Sequence, residues 1–412
     1  MTKKFLQFLV LFILVTGTVW ASGFQLNENG AKAQAMASAF TGLANDVSAV
    51  FWNPAGITQL SGTQVMAGVA LIAPSFAFRG PSPQITEYKL EDKIFTPFQV
   101  YISHQLSDQW FIGFGVNTPY GLGTKWKDNW VGRFLAIETD LKTFFFNPVI
   151  AYKISDKASI SIGGSVAYGS VTIERDADLY PFAGEANVKL EGNGWAWGVN
   201  AALLFKPIEE VSIGITVRSE SEFKFEGDAK STGPAQFTGL LPGGDISANL
   251  TTPLNFTIGF AFFPHKDWTI TTDFQYVGWE SYDVLAVDFK DPKMTDLSSE
   301  RLYQNTYIAR LGLEYKASET LALRTGIYYD NNPVRDKLLE PSLPDADRIG
   351  FNFGIGYDLT DHLTLDLAYL YILFEERTIK NSEISYTPGF APFNGVYNSK
   401  AHIMGINFSY KF

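Results

Sequence analysis

Four arginines in this chain could bind an acidic ligand, because a guanidinium holds a carboxylate through two parallel hydrogen bonds. Each falls on the polar face of a segment in which apolar and polar residues alternate: Arg218, Arg310, Arg324 and Arg348. Acidic residues fall on the same face: Asp273, Glu314, Asp358 and Asp366. These acids could neutralise the arginines as structural ion pairs, so the sequence leaves open which arginine, if any, binds a ligand.

Residues that would support catalysis are scattered along the chain. The four histidines (His104, His265, His362 and His402) show no metal-ligand spacing, and there is no G-x-S-x-G turn or phosphate-binding glycine loop. The absence of cysteine excludes thiolate chemistry, and the net charge of −11 argues against a nucleic-acid partner. We therefore predict that the protein is not an enzyme and needs no cofactor or metal.

The elements that must position the arginines are β-strands, because apolar residues recur at every second position from Gly62 to the C-terminus. The last strand shows this pattern most clearly. One face carries His402, Met404, Ile406, Phe408, Tyr410 and Phe412, and the other carries Ala401, Ile403, Gly405, Asn407, Ser409 and Lys411. Such a strand has one apolar face and one face of small or polar residues.

This periodicity predicts about fourteen strands, near residues 63–79, 94–106, 109–120, 134–154, 158–175, 186–206, 210–227, 245–263, 267–285, 302–316, 320–331, 346–358, 362–379 and 398–412. Tight polar turns alternate with long connections at 80–93, 121–133, 176–185, 228–244, 286–301, 332–345 and 380–397. Short periplasmic turns and long extracellular loops are typical of membrane barrels. We predict an all-β fold, a transmembrane antiparallel β-barrel whose apolar face meets lipid, since hydrocarbon offers no hydrogen bonds to an open sheet edge.

The N-terminus divides into two further parts. Residues 1–21 have a basic start, an apolar run and small residues before an expected cleavage after Ala21, which is the pattern of a secretory signal peptide. Residues 22–60 do not alternate, and 31–40 could form a short helix, so this part is either a hatch inside the barrel of residues 61–412 or a periplasmic tail. Inward glycines would leave room for a hatch or would ease strand curvature: Gly163, Gly214, Gly259, Gly326, Gly354 and Gly356.

Two N-terminal motifs resemble a known family. The segments Gly23–Glu28 (GFQLNE) and Phe51–Gly56 (FWNPAG), with Trp126–Ile137 and Asn147-Pro148 later in the chain, are similar to the FadL-type long-chain fatty-acid transporters of the outer membrane. That family also includes channels for aromatic hydrocarbons. The resemblance covers essentially the whole mature chain.

The resemblance implies a fourteen-stranded barrel plugged by an N-terminal hatch. Phe24 would lie near the bound ligand, and Asn53, Pro54 and Ala55 would form the signature turn of the hatch. A kink in the third strand would open the wall sideways toward the bilayer, and the residues that could form it are Gly113, Gly115, Asn117 and Pro119. The alternative is an ordinary strand that ends in a Pro-Tyr-Gly turn.

The resemblance also implies that the ligand enters through an apolar groove between two extracellular loops. The candidates here are Leu179, Tyr180, Phe182, Phe237, Leu240 and Leu241. Exposed apolar side chains in an outer loop are costly unless they bind something, although these could also pack on one another.

We therefore expect an outer-membrane, multi-pass channel of a Gram-negative-type cell that takes up hydrophobic compounds passively, most simply long-chain fatty acids. Its partners would be the hydrophobic small molecule and the lipid of the outer membrane, and it would act as a monomer. Two alternatives stay open: a general porin with a water-filled lumen, and a structural or adhesive barrel that acts through its loops.

Overall fold

The computed structural model describes residues 23–412, except 180, 181, 183, 238 and 386–390. The expected signal peptide lies outside the described residues. Two short α-helices are present, α1 (Ala31–Ala35) and α2 (Ala49–Trp52), and 3-10 turns lie at Pro54–Gln59, Ala235–Phe237, Trp279–Ser281 and Asp336–Leu338. Among the residues described, no helix combines the length and the apolar character needed to cross a membrane.

The rest of the ordered structure is a single antiparallel sheet. Its strands are β1 (Thr63–Arg79), β2 (Glu87–Lys89), β3 (Phe98–Gln105), β4 (Trp110–Asn117), β5 (Gly121–Lys125), β6 (Glu138–Ser155), β7 (Ala158–Asp178), β8 (Glu185–Ile208), β9 (Val211–Arg218), β10 (Ser221–Thr232), β11 (Gly244–Thr252), β12 (Leu254–His265), β13 (Trp268–Gly278), β14 (Val284–Phe289), β15 (Leu297–Glu300), β16 (Thr306–Lys316), β17 (Leu321–Asp330), β18 (Arg348–Asp358), β19 (Leu363–Phe374), β20 (Arg377–Ile379) and β21 (Gly395–Lys411).

The sheet closes into a barrel because the first strand pairs with the last. Strand β1 pairs with β21 from Gln64↔Lys411 to Arg79↔Val396, and it pairs with β3 on its other side. Four spans of the wall are built from two consecutive strands each (β4–β5, β9–β10, β11–β12 and β13–β14), and β15 extends β16. The wall therefore has fourteen spans, which confirms the predicted barrel, and β2 and β20 are short additions at one rim.

The alternation seen in the sequence separates a lipid face from an inner face. In β21, Met404, Phe408 and Tyr410 are exposed on the outside, whereas Ile403 and Asn407 are buried inside. Aromatic pairs mark the outer surface near the short turns, with ring centroids 4.7 Å apart for Trp110–Tyr152 and 4.5 Å apart for Trp268–Tyr315. Rings of this kind suit the interface between hydrocarbon and head groups.

The third span differs from the expected strand. The sequence predicted one strand over 109–120 followed by a loop, but β4 ends at Asn117 and the wall resumes as β5 at Gly121–Lys125. The break at residues 118–120 depends on a partner from elsewhere in the chain, which the local pattern could not reveal.

Residues 23–60 lie inside the barrel, against its inner face, and we call them the hatch. The helix expected over residues 31–40 is shorter, because α1 ends at Ala35 and both Ala37 and Ser38 adopt left-handed backbone angles (φ 56° and 58°). The segment that follows runs through α2 into the 3-10 turn Pro54–Gln59. Nearly every hydrophobic residue of this segment is buried.

Inward glycines of the wall let the hatch backbone approach closely. A Cβ on Gly326 would lie 2.7 Å from the backbone nitrogen of Ala37, and one on Gly214 would lie 1.9 Å from the carbonyl oxygen of Thr41. Gly259 and Gly354 likewise face the hatch, whereas a Cβ on Gly163 or Gly356 would meet side chains of the wall. Of the two interpretations left open, close approach of the hatch backbone therefore accounts for three of these six glycines (Gly214, Gly259 and Gly326), and Gly354 makes room for the side chain of Ala35.

Candidate functional site

The first residues of the hatch, 23–29, form an extended segment that we call the arm. Its Phe24 side chain is buried among aromatic rings: the centroid of Trp279 lies 4.7 Å away, that of Tyr282 5.8 Å and that of Tyr120 6.1 Å. All three contacts are edge-on, the geometry that aromatic quadrupoles favour. Phe24 is therefore held by aromatic side chains of the barrel wall and its loops, and not by the hatch.

The arm supplies the missing hydrogen-bond partner at the wall break. The amide of Leu26 donates to the carbonyl of Pro119 (2.8 Å), and the amide of Gly121 donates to the carbonyl of Phe24 (3.0 Å). Between these bonds Gln25 and Tyr120 face each other as an isolated antiparallel pair. The break in the wall is thus covered from inside by three residues of the arm.

The four residues expected at the kink occupy two different places. Gly113 and Gly115 lie in the regularly paired part of β4, where an added Cβ would crowd Val50 of the hatch. Asn117 ends β4, and Pro119 lies within the break. The glycines that follow the break are Gly121 and Gly123, and a Cβ on Gly123 would lie 2.1 Å from the ring of Phe95.

A chain of buried hydrogen bonds ties the arm to the wall. The side chain of Asn29 donates to the carbonyl of Leu26 (3.1 Å) and accepts from Asn117 (2.7 Å). Asn117 in turn accepts from Asn147 (2.9 Å), which accepts from Arg218 (3.3 Å).

This chain returns to the hatch at both ends. Arg218 donates to the carbonyl of Phe51 (3.0 Å), and the indole of Trp52 donates to the carbonyl of Asn29 (2.6 Å). The residue just before the break, Asn117, is therefore part of one closed set of contacts with the arm and the hatch.

The hatch turn has the expected residues at its centre. Asn53 is fully buried; its side-chain oxygen accepts from the amide of Ala55 (3.1 Å) and caps the 3-10 turn that begins at Pro54. Its side-chain nitrogen donates to the carbonyls of Thr41 (2.8 Å) and Leu203 (3.0 Å). Asn53 thus fixes the fold of the hatch and its attachment to the wall, and contacts no cavity near Phe24.

A cavity of about 350 Å³, the wall cavity, runs from the arm into the wall at the break. Its inner lining includes Phe24, Ile72 and Leu141. Its lining also includes Phe98 and Phe144, which belong to the lipid-facing side and whose rings lie 5.8 Å apart. One continuous space therefore meets both faces of the barrel wall.

A second cavity of about 180 Å³, the outer cavity, lies at the end of the barrel with the long loops. It shares Phe24, Leu122, Leu141 and Leu343 with the wall cavity, so Phe24 stands between the two. Most of its lining is apolar, but it also contains Arg175 and Arg301.

The two arginines of the outer cavity differ in their partners. Arg301 forms an ion pair with Glu340. Arg175 makes no hydrogen bond or ion pair within the described part of the chain, and the charge that acts on it is that of Arg301. Glu191, Glu226 and Glu340 also line the outer cavity, but Arg175 pairs with none of them, so it is the one cation of this cavity without an ion pair among the described residues.

The four arginines proposed from the sequence all point into the barrel, but most are already paired. Arg324 bonds Glu314 (2.7 Å) and Asp366, Arg348 bonds Asp330 (2.7 Å), and Arg310 stands directly across from Asp273 in the next strand. Arg218 forms no such pair with a described residue. Asp358 has the same phase as the inward-facing Asn352 but is solvent-exposed at the end of β18, where its carboxylate accepts from Thr364 and meets none of the four arginines.

Arg175 was missed by the sequence analysis, although the signal was present. It has the same phase as Ser161 and Ser165, which face inward, but it is the last residue of the segment predicted as a strand. Arg175 would have emerged from following the alternation to the last residue of the segment predicted for β7, and Arg301 follows β15, which the sequence analysis assigned to a loop.

The two outer loops proposed as a groove do meet. The rings of Phe182 and Phe237 lie 5.2 Å apart, and Phe182 and Leu240 remain 62% and 76% exposed. Leu241 is buried, Leu179 is half-buried, and Tyr180 lies outside the described residues. The loops thus present an apolar surface at the rim, with part of the proposed set packed beneath it.

Comparison with known proteins agrees with this architecture. The model of the family described as outer membrane protein transport protein (OMPP1/FadL/TodX) matches residues 12–412. A long-chain fatty acid transport protein of Escherichia coli O6:H1 is 26% identical over 440 residues, which cover 98% of this chain and 97% of that protein.

Solved structures share the fold at low identity. A Pseudomonas aeruginosa FadL homologue superposes with a TM-score of 0.84 at 20% identity, covering 95% of this chain and 100% of that one. The Pseudomonas putida toluene transporter TodX gives a TM-score of 0.75 at 18% identity, covering 96% and 99%. With a plugged barrel of fourteen spans and a family match over nearly its whole length, this chain belongs to the OMPP1/FadL/TodX family of outer-membrane transport proteins.

Proposed function

We propose that this protein takes up long-chain fatty acids passively and releases them sideways into the outer membrane through the wall break. The observation that carries this proposal is the wall cavity, which is lined by the arm on one side and by lipid-facing rings on the other. An apolar ligand that left the barrel along the axis would have to pass the hatch, whose backbone packs closely against inward glycines of the wall such as Gly214 and Gly326.

The proposed route begins at the rim. The exposed Phe182 and Leu240 would capture the ligand from the aqueous side, since an apolar chain loses contact with water there. The ligand then enters the outer cavity, passes Phe24 and reaches the wall cavity. Because Phe24 lines both cavities, a shift of the arm is the step that connects them.

Arg175 supports an acidic ligand over a neutral hydrocarbon. Arg175 pairs with none of the glutamates that line the outer cavity, and a guanidinium without an ion pair in a mostly apolar space is costly unless an anion binds there. The carboxylate of a fatty acid would supply that anion while its chain occupies the apolar remainder of the outer cavity. A toluene-like ligand would leave Arg175 uncompensated.

A disulfide across the break tests the route. Gln25 and Tyr120 form an antiparallel pair flanked by hydrogen bonds, a position where Cα atoms lie about 4.5 Å apart, within the range that a disulfide spans. The chain has no native cysteine, so the double variant Gln25→Cys/Tyr120→Cys contains only the intended pair.

Uptake of labelled palmitate by cells that carry the oxidised double variant should fall to background and recover after reduction. The two single-cysteine variants serve as controls, because they carry the same side-chain losses without the cross-link. Full uptake by completely cross-linked protein would show that ligand does not leave past the arm.

The variant Arg175→Gln tests the ligand class. Loss of a charge-assisted hydrogen bond should raise the half-saturating concentration of palmitate by roughly tenfold to a hundredfold and leave toluene uptake unchanged. Arg79→Gln is the matched control, because Arg79 is exposed at the outer end of β1. If Arg175→Gln weakened the uptake of palmitate and toluene equally, this result would argue against binding of the ligand's carboxylate at Arg175.

A further inference from the structure

Arg218 borders a third, small cavity beside the wall break. This Arg218 cavity has a volume of about 40 Å³, and Pro119 and Tyr120 of the break form part of its lining, together with Gln25 of the arm. Among the described residues that line it there is no aspartate or glutamate. The one formal charge at this cavity is therefore positive.

The contacts of Arg218 satisfy its hydrogen-bond donors only weakly and leave its charge uncompensated. Its guanidinium donates to Asn147 (3.3 Å), Ser165 (3.4 Å) and the carbonyl of Phe51 (3.0 Å), and it stacks on the Phe51 ring with 4.8 Å to the centroid. None of these partners carries a charge. Arg324 and Arg348 in the same barrel each bond a carboxylate, so the lack of one here is a local property of this site.

Asn200 provides an independent sign that something polar occupies the cavity. This residue lines the cavity and is only 7% exposed, yet neither its side-chain nitrogen nor its oxygen has a partner among the described residues. Buried amide groups in folded proteins are nearly always hydrogen-bonded. A polar occupant between Arg218 and Asn200 would satisfy the amide and the charge together.

We propose that the Arg218 cavity is a binding site for a monovalent anion of the size of a halide ion or a carboxylate group. Its volume exceeds the space that one water molecule requires, and a cation without an acid in an enclosed site favours an anion over water. The guanidinium and the free amide nitrogen of Asn200 would donate to the anion, with the hydroxyls of Thr216 and Thr257 at the same cavity.

Two sources could supply this anion: a free ion from solution, or the carboxylate of a ligand in transit past the break. The site itself requires neither uptake nor an open wall. Its failure is therefore distinguishable from failure of the proposed transport route, which the disulfide across Gln25 and Tyr120 tests separately.

Crystals of the wild-type protein soaked in sodium bromide provide the direct test. Anomalous scattering from bromine should give one peak between the guanidinium of Arg218 and the side chain of Asn200. Ordered water without an anomalous peak at that position would overturn the proposal for free anions. This measurement needs no substitution, so it does not depend on whether a variant folds.

Thermal unfolding at constant ionic strength distinguishes the sources. Sodium acetate or bromide should raise the Tm relative to sodium gluconate, whose anion is too large for the cavity, because an ion that binds only the folded state stabilises it. Arg218→Gln should abolish this rise, Arg218→Lys should retain it, and Arg79→Gln should behave as wild type.

The same thermal-unfolding experiment is repeated with sodium decanoate. A rise in Tm with decanoate alone, dependent on Arg218, would support a site for the ligand's carboxylate, whereas a rise with acetate and bromide would support a free anion. Absence of any rise that depends on Arg218, together with an empty bromide map, overturns the proposal for both sources.

Discussion

The two parts of the hatch are held in different ways. Residues 31–60 sit against the wall where glycines such as Gly214 and Gly326 admit the hatch backbone, and almost all of their apolar side chains are buried. The arm, residues 23–29, lies between cavities and is attached by a few hydrogen bonds, chiefly to Asn117, Pro119 and Gly121. Phe24 is the one hydrophobic side chain of the arm that is buried, whereas residues 31–60 bury many. Segments with fewer buried apolar contacts open at lower free energy, so we expect the arm to open more readily than the rest of the hatch.

Gly326→Ala should have the largest effect on the closure of the barrel, because it disturbs the packing of residues 31–60 of the hatch against the wall. The new Cβ would lie 2.7 Å from backbone atoms of Met36 and Ala37, and overpacking of this kind costs about 1–3 kcal/mol. The hatch should dock poorly, and planar bilayers containing the variant should show steady single-channel currents that the wild-type protein lacks.

Gly164→Ala is the matched control for this experiment. Gly164 also lies in a wall strand, but an added Cβ would have no neighbour closer than 4.0 Å. Currents that are the same in both variants would mean that the glycines do not seat the hatch.

Asn117→Ala should loosen the arm while leaving the rest of the hatch in place. The substitution removes one hydrogen bond each from the buried side chains of Asn29 and Asn147, at a cost of about 1–3 kcal/mol. Hydrogen exchange at the amides of Leu26 and Gly121 should accelerate by roughly tenfold to a hundredfold, as measured by mass spectrometry.

Exchange within residues 31–60 should stay unchanged in the same variant. Asn352→Ala is the control, since the side-chain nitrogen of Asn352 is buried and has no partner within the described ranges of the chain. If both regions exchange faster together, the arm and the rest of the hatch form one cooperative unit and the proposed division between them is wrong.

Phe24→Ala should reduce palmitate uptake several-fold and leave barrel assembly intact. Phe24 packs on Trp279 and lines both cavities, so its loss removes the side chain that stands between them but disturbs no wall strand. Uptake assays together with heat-modifiable gel mobility measure the two properties, and Phe256→Ala on the lipid face is the control. Unchanged uptake would remove Phe24 from the transport route.

The sequence could predict the features of the fold that depend on local pattern, but not those that depend on contacts between distant parts of the chain. The membrane imposes the alternation of β21 and the other strands residue by residue, because outward side chains of the spanning part meet lipid. The fourteen spans could therefore be predicted from the local pattern. The break at residues 118–120 could not be predicted from the local pattern, because its hydrogen-bond partners are Phe24 and Leu26, almost a hundred residues away. Likewise Gly113 and Gly115 looked like kink residues, but their absent side chains make room for Val50.

The site was predicted less completely than the fold for a related reason. Whether an inward arginine is available depends on its neighbours in adjacent strands: Glu314 and Asp366 stand beside Arg324, and Asp330 pairs with Arg348. Register between strands decides these pairs, and alternation within one strand does not specify register. The free cations, Arg175 and Arg218, could be recognised only once the strands were in place.

The smallest expected effect concerns Asp345, which attaches the start of the arm. Its carboxylate accepts from the amide of Gly23 (2.8 Å), and burial raises the pKa of this carboxyl from 3.8 to about 6, although Arg348 opposes the shift. A raised pKa means that the folded protein binds this proton more tightly than the unfolded chain does. The stabilisation is therefore fully present below pH 4 and is lost as the pH rises through 6.

Asp345→Asn removes the charge and keeps one oxygen acceptor, which can accept from the amide of Gly23, while the second carboxylate oxygen, which accepts from the amide of Ala346, is lost. Above pH 6 it should raise the stability of the protein by roughly 2–3 kcal/mol, which is a shift of a few degrees in Tm, and below pH 4 the variant and the wild type should unfold together. Thermal unfolding between pH 4 and pH 8 measures this difference. Palmitate uptake should change little, because the bond to Gly23 is retained at a point of the arm away from the break. A variant that is less stable at pH 8 would mean that the charge on Asp345 holds the arm, so that the arm is fixed electrostatically and not by the hydrogen bonds at Asn117 and Pro119.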